Sequence, residues 1–272
     1  MNPHNKEMLQ NLFLWKDISD ISEEEIRGLL DLIEFNRNEN FLLNCSWGYF
    51  KKCRILSLDN EPLFFLKYVR EHYFPEVLAL HLTKNFFDPE LGFQIYVTGI
   101  YHKSFWKFKS EVPYLMTNYI QGTDLTNYEI KNFQFSLGRM NYLHEVLCLY
   151  DVYDRHFIVQ DDGSLKRIDF GRAFENMHKK YLGFQDYLNA HKSIDFYDEE
   201  YQKGYHHEKK IIRENLKGKK AKLTSIMRRI KQLKQDYELI EVIPDRFINR
   251  LIDHWSRIGF LEDAAITQCE WI

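Results

Sequence analysis

The chain has 272 residues, 44% of them apolar and 28% charged, with 21 Phe, 17 Tyr and 5 Trp; this excludes a disordered or fibrous chain and is enough to bury a core in one large domain or two lobes. A formal net charge of −3 excludes a whole-surface nucleic-acid binder, and no run approaches the roughly 18 apolar residues of a membrane span. Cysteines at 45, 53, 148 and 269 show neither zinc spacing nor a disulfide framework, and no long apolar stretch with a cleavage site follows Met1, so cytoplasmic residence in a reducing compartment is expected.

In chain order, Ser22–Glu25 followed by Ile26, Leu29, Leu30 and Ile33 has a capping-box pattern and then helical spacing, which predicts a first helix. Phe41–Leu43, Cys53–Leu58 and Leu63–Val69, with a turn at Asp59–Pro62, predict an antiparallel hairpin. Glu76–Leu82 then predicts a helix, Phe93–Val97 and Tyr114–Thr117 two strands, and Phe133–Leu147 another helix. Strands gather before residue 120 and helices after it, so the expectation is an α+β chain of two lobes. Residues 1–117 form the first, with the N-terminal helix, the sheet and one helix; residues 118–272 form a helical second lobe, the two joined near Asn118–Gly122.

Residues 203–234 hold twelve Lys or Arg against only Glu208 and Glu214, a local charge of about +10. Leu216, Leu223, Ile226, Ile230 and Leu233 form an apolar stripe on one side of the same helical segment, with Gly218 weakening its first half. The stripe reads as core packing. The charge reads as a solvated face, or as a surface for an anionic membrane or another polyanion. His206 and His207 lack the i, i+4 spacing of a helical metal site.

The stretch from Leu149 to Gly171 carries the chemistry. A loop containing Asp151 and His156 leads to two short predicted strands joined by a turn at Asp161–Gly163, and the second strand ends in Ile168, Asp169, Phe170 and Gly171. Phosphoryl transfer needs these parts: a carboxylate to orient an acceptor hydroxyl, and hard ligands for the Mg²⁺ that bridges nucleotide phosphates.

This stretch resembles the catalytic loop and Asp-Phe-Gly motif of the protein-kinase-like superfamily, Leu149, Tyr150 and Asp151 standing where His-Arg-Asp would. Asp154, Arg155 and His156 are also similar to the phosphoinositide-kinase signature. That register leaves only 15 residues to Asp169 and puts Val159 at the metal position, whereas Asp151 lies 18 residues before Asp169. Phe65-Leu66-Lys67, Asp151-x-Tyr153-x-x-His156-Phe157 and Ile168-Asp169-x-x-Arg172-Ala173 resemble bacterial lipopolysaccharide core sugar kinases, for heptose or Kdo, which also carry His in place of the usual Asn.

The resemblance implies a two-lobed kinase-like fold, a strand-rich first lobe and ATP and Mg²⁺ as cofactors. It implies that Asp151 is the base, that Asp169 and His156 hold Mg²⁺, and that Lys67 contacts the α- and β-phosphates, paired with Glu76 or, failing that, Glu71. Gly48 is the one glycine where the phosphate loop belongs; Asn118, Tyr119 and Ile120 stand at the adenine-binding hinge, and Asp124 would reach the ribose. No Ala-Pro-Glu motif follows Gly171, which tilts the acceptor towards a sugar hydroxyl over a protein Ser, Thr or Tyr. Peripheral residence at the inner membrane fits that acceptor. A secreted effector-type protein kinase and a non-catalytic kinase fold serving as a binding module are the alternatives.

Overall fold

The computed structural model describes residues 34–36, 53–58, 61–68, 73–93, 95–105, 108–175, 177, 187, 197–232 and 244–263. The helix expected at 22–33, the strand at 41–43, Gly48 and Glu71 lie outside these. Two compact units emerge, residues 1–73 with 93–120 and residues 74–92 with 121–272. Helix and antiparallel sheet coexist, as the α+β expectation requires.

The first unit carries a five-stranded antiparallel sheet of β1 (Glu34–Asn36), β2 (Cys53–Leu58), β3 (Glu61–Tyr68), β4 (Ile95–Phe105) and β5 (Phe108–Asn118), in the order β1-β2-β3-β5-β4. Leu58 faces Glu61 across the β2–β3 hairpin, as its turn residues predict, and a register shift falls between Leu56 and Ser57. β4 and β5 extend well past the strands expected at 93–97 and 114–117. Their added length pairs His102 with Glu111 and Ser104 with Lys109, polar positions that a search for apolar alternation passes over.

In the second unit, α1 (Tyr73–Leu82) continues into a π-helical turn at Thr83–Phe87. Val77 to Leu80 are fully buried. Residues 74–92 cluster here, whereas the sequence division at 117/118 grouped them with the strands. The reason is a set of ties to later helices: Asn215 Nδ2 donates to Phe87 O (2.7 Å), Lys219 Nζ to Asn85 O (2.8 Å), and the Phe87 ring lies edge-on to Trp255 and Phe260.

The rest of this unit comprises α2 (Gln134–Leu147), α3 (Glu199–Leu216), α4 (Lys220–Gln232), α5 (Pro244–Arg257), α6 (Phe260–Asp263) and a small antiparallel sheet of β6 (Thr123–Asp124), β7 (Phe157–Val159) and β8 (Leu165–Arg167). The basic segment is therefore two helices that break around Gly218, where no side chain is present to hold a continuous helix. Its stripe packs inward: Leu216, Leu223, Ile226 and Ile230 are at most 1% exposed. α2 and α3 cross at glycines. A Cβ on Gly138 would overlap the Tyr201 carbonyl, and one on Gly204 would overlap that of Phe135, so the two backbones touch. Among the described residues, no helix is long and apolar enough to cross a membrane.

Candidate active site

The site begins where α2 ends. A helix leaves its last four carbonyls without intrahelical partners, and here each finds one. Leu149 N donates to His144 O, His254 Nε2 to Glu145 O (2.6 Å), Trp255 Nε1 to Val146 O (2.8 Å) and Phe174 N to Leu147 O (2.9 Å). Cys148 closes the helix in the left-handed region, φ 51°, a costly conformation for a residue with a Cβ. Its Sγ donates to Glu175 O, and burial pushes its thiol up to about 12, so it is inert at neutral pH.

The chain then turns through Leu149–Tyr153, forms one 3₁₀ turn at Asp154–His156 and enters β7. Gln160 to Ser164 make the turn to β8, with Gly163 at φ 80° and Asp162 Oδ1 accepting from Ser164 N. At the far end of β8, Gly171 N donates to Asp169 Oδ1 (3.1 Å), which orients that carboxylate from its own turn. Gly122, at φ 140° beside the Val159 carbonyl, lets β6 pair with β7.

Asp151, His156 and Asp169 are brought together. His156 Nδ1 donates to Asp151 O (3.1 Å), and a carbonyl can only accept, so the ring proton sits on Nδ1 and Nε2 carries the lone pair. Burial, reinforced by the Arg167 charge, lowers the His156 imidazole to about 4 against the opposing pull of the Asp169 and Asp151 carboxylates. It is neutral at pH 7. The two competing aspartates differ in their commitments. Asp154 Oδ1 accepts from the Tyr187 hydroxyl (2.6 Å), and burial with this carboxylate holds the Tyr187 phenol above its ordinary value. The half-buried Asp151 carboxylate accepts no hydrogen bond among the described residues.

No family model and no curated protein matches the chain.

The remaining residues singled out in the sequence fall in both units. Lys67 lies on β3, paired in register with Cys53 and Leu115; Asn118 closes β5 opposite Phe64; Tyr119 and Ile120 follow, half-buried. All four belong to the first unit. Glu76, 1% exposed on α1, belongs to the second. Asp124 caps the 3₁₀ turn at Leu125–Asn127, accepting from Thr126 N and Asn127 Nδ2 (both 3.1 Å).

Among the described residues, no group of three or more His, Cys, Asp or Glu is disposed to hold a metal with protein ligands alone. Mg²⁺ does not require one, because it is ordinarily held by one or two carboxylates with substrate phosphates and water. Asp169 supplies a hard oxygen donor of that kind, and His156 Nε2 a nitrogen, the softer of the two.

One residue of the site escaped the sequence reading. Arg167 is 1% exposed, with Nε donating to Asp169 O and Nη2 to Asp151 O, each at 2.6 Å. Its signal was the period of two: Leu165 is 2% exposed, so residue 167 must share that buried face of β8.

Proposed function

We propose that the chain is an ATP- and Mg²⁺-dependent kinase of the two-lobed protein-kinase-like type, transferring the γ-phosphoryl group to a sugar hydroxyl such as that of a lipopolysaccharide core. The observation that carries this reading is the uncommitted, half-buried Asp151 carboxylate, whose backbone carbonyl shares a guanidinium with that of Asp169. Asp151 orients the acceptor hydroxyl and takes its proton at a carboxylate oxygen as the new O–P bond forms and the γ-phosphorus breaks its bond to the β–γ bridging oxygen, which leaves with ADP. Mg²⁺, held by Asp169 with His156 beside it, would neutralise charge on the β- and γ-phosphates. Lys67 supplies the positive charge that would draw the α- and β-phosphates into place.

A compact acceptor is supported by the segment after the Asp-Phe-Gly turn, which Phe174 N anchors to Leu147 O three residues past Gly171. Arg213, Lys217, Lys222 and Arg228 are exposed on α3, α4 and the turn between them. They would attract an anionic membrane bearing such an acceptor. The test is transfer from γ-labelled ATP to sugar and protein acceptors, beside an Asp169→Ala control. Label in a sugar that depends on Asp169 supports the reading, label in protein alone replaces the acceptor, and no transfer to any acceptor overturns it.

A further inference from the structure

A kinase-type site must hold its base and its metal carboxylate at fixed separation, although they sit on different loops 18 residues apart. Neither the Asp151 carbonyl nor the Asp169 carbonyl belongs to a strand or helix of this fold. A single side chain that reaches both sets their spacing. The planar fork of arginine offers two parallel N–H donors along its Nε–Nη2 edge, which lysine cannot present.

We propose that Arg167 is a positioning residue, a clamp that fixes the Asp151 loop against the Asp169 turn by donating from one guanidinium edge to both backbone carbonyls. This deepens the phosphotransferase reading and rests on it for its catalytic consequence. The clamp is itself held rigidly. Arg167 faces Phe157 in the β7–β8 register, and its guanidinium carbon lies 5.8 Å from the ring centroids of both Phe157 and Phe170, which are fully buried. Phe157 in turn stacks on His144 of α2, with ring planes 12° apart. Ile168 N donates to His156 O (2.9 Å), and His156 Nδ1 shares the Asp151 carbonyl with Arg167, so the loop, β8 and the turn form one closed set of bonds.

The clamp explains why a cation lies buried in a strand whose other inward residue is leucine. A structural arginine would serve equally well bonded to any two carbonyls. This one holds those of the proposed base and metal ligand.

The experiment compares the full chain with Arg167→Met, which matches the length of the stem and removes both donors, and Arg167→Lys, which keeps the charge and reaches one carbonyl. Arg167→Met should lower kcat by about 10- to 100-fold while the Kd for Mg·ATP changes less than about threefold, with Arg167→Lys intermediate. Backbone hydrogen exchange should quicken at least about tenfold at 151–156 and 168–171, and not within α2. Arg167→Met with wild-type kcat per folded molecule overturns the clamp, and so does unchanged exchange at both segments. If Arg167→Met does not fold, Arg167→Lys decides on the same two readouts. A wild-type chain inert with every acceptor removes the phosphotransferase reading alone; loosened exchange at both loops then still supports the clamp, and unchanged exchange overturns it.

Discussion

Replacing Glu208 with Gln should raise stability above wild type by a margin that widens as pH rises from about 6 to about 8. Glu208 is fully buried on α3, and Arg139 of α2 stands among three carboxyl groups, bonding Glu208 Oε2 (3.0 Å), Asp88 Oδ2 (2.5 Å) and Glu90 Oε2 (2.8 Å). Glu90 is largely exposed and water screens it, but Asp88 is 3% exposed, so one cation faces two buried acids. Burial first, then the Asp88 carboxylate, push the Glu208 carboxyl up to about 8 against the attraction of Arg139. Although burial opposes its charge, Glu208, Glu90 and Asp88 keep Arg139 protonated above its ordinary range. Between the ordinary glutamate value and about 8 the folded chain therefore binds a proton that the unfolded chain has released. Stability falls as pH rises through that window. From pH 6 to pH 9 the loss is roughly 3 kcal/mol, about two pKa units' worth. Gln reproduces the neutral acid: its carbonyl accepts from Arg139 and its amide donates to Asp88. Urea unfolding followed by circular dichroism from pH 6 to 9 should give curves whose separation grows by about that amount across the range and stays constant above about pH 8. Parallel curves across the whole range would refute the reasoning and mean that Glu208 is ionised at neutrality.

Asp151→Asn should cut turnover by roughly 100-fold or more with ATP affinity nearly unchanged, whereas Asp154→Asn, which disturbs the bond to Tyr187, should leave turnover within a few-fold; steady-state kinetics and nucleotide titration decide between the two registers. Asp169→Ala should abolish the Mg²⁺-dependent part of nucleotide binding, measured by calorimetry with and without chelator. Gly138→Ala should destabilise by about 1–3 kcal/mol, because overlap with the Tyr201 carbonyl outweighs alanine's helix preference of about 1 kcal/mol; thermal unfolding reads the sign directly. Gln at Arg213, Lys217, Lys222 and Arg228 should weaken co-sedimentation with anionic vesicles by about 1 kcal/mol per charge removed and leave activity on a soluble acceptor intact.

Much of the local structure was legible because its cause is local. The β2–β3 hairpin is written in strand residues on either side of a turn sequence, α2 in apolar residues at helical spacing, and the β7–β8 turn in Asp161, Asp162 and Gly163. The assignment of α1 to its unit was not legible, since Asn215, Lys219, Trp255 and Phe260 bind the π-helical turn that continues it from more than 120 residues away. Within the site, Asp151 and Asp169 stand out by type and spacing. The choice of Asp151 over Asp154 rests on spacing to Asp169, whereas the bond from the Tyr187 hydroxyl to Asp154 is a difference between them that no spacing rule supplies. Arg167 hid because a strand of Leu, Lys and Arg reads as half-solvated, and the burial of its inner face is decided by Phe157 and Phe170.

The way α2 ends has a consequence for when the loop after it can settle during synthesis. Two of the carbonyls that terminate this helix are held by His254 and Trp255, more than a hundred residues downstream on α5. On a ribosome, Leu149–Gly171 emerges long before those partners exist, and until they do the pedestal of the loop carries unpaired, water-seeking groups. The nascent chain thus holds every residue of the site well before it holds the site. The loop gains its full support only when α5 folds, and a chain halted before residue 254 would release a loop complete in sequence and unfinished in shape.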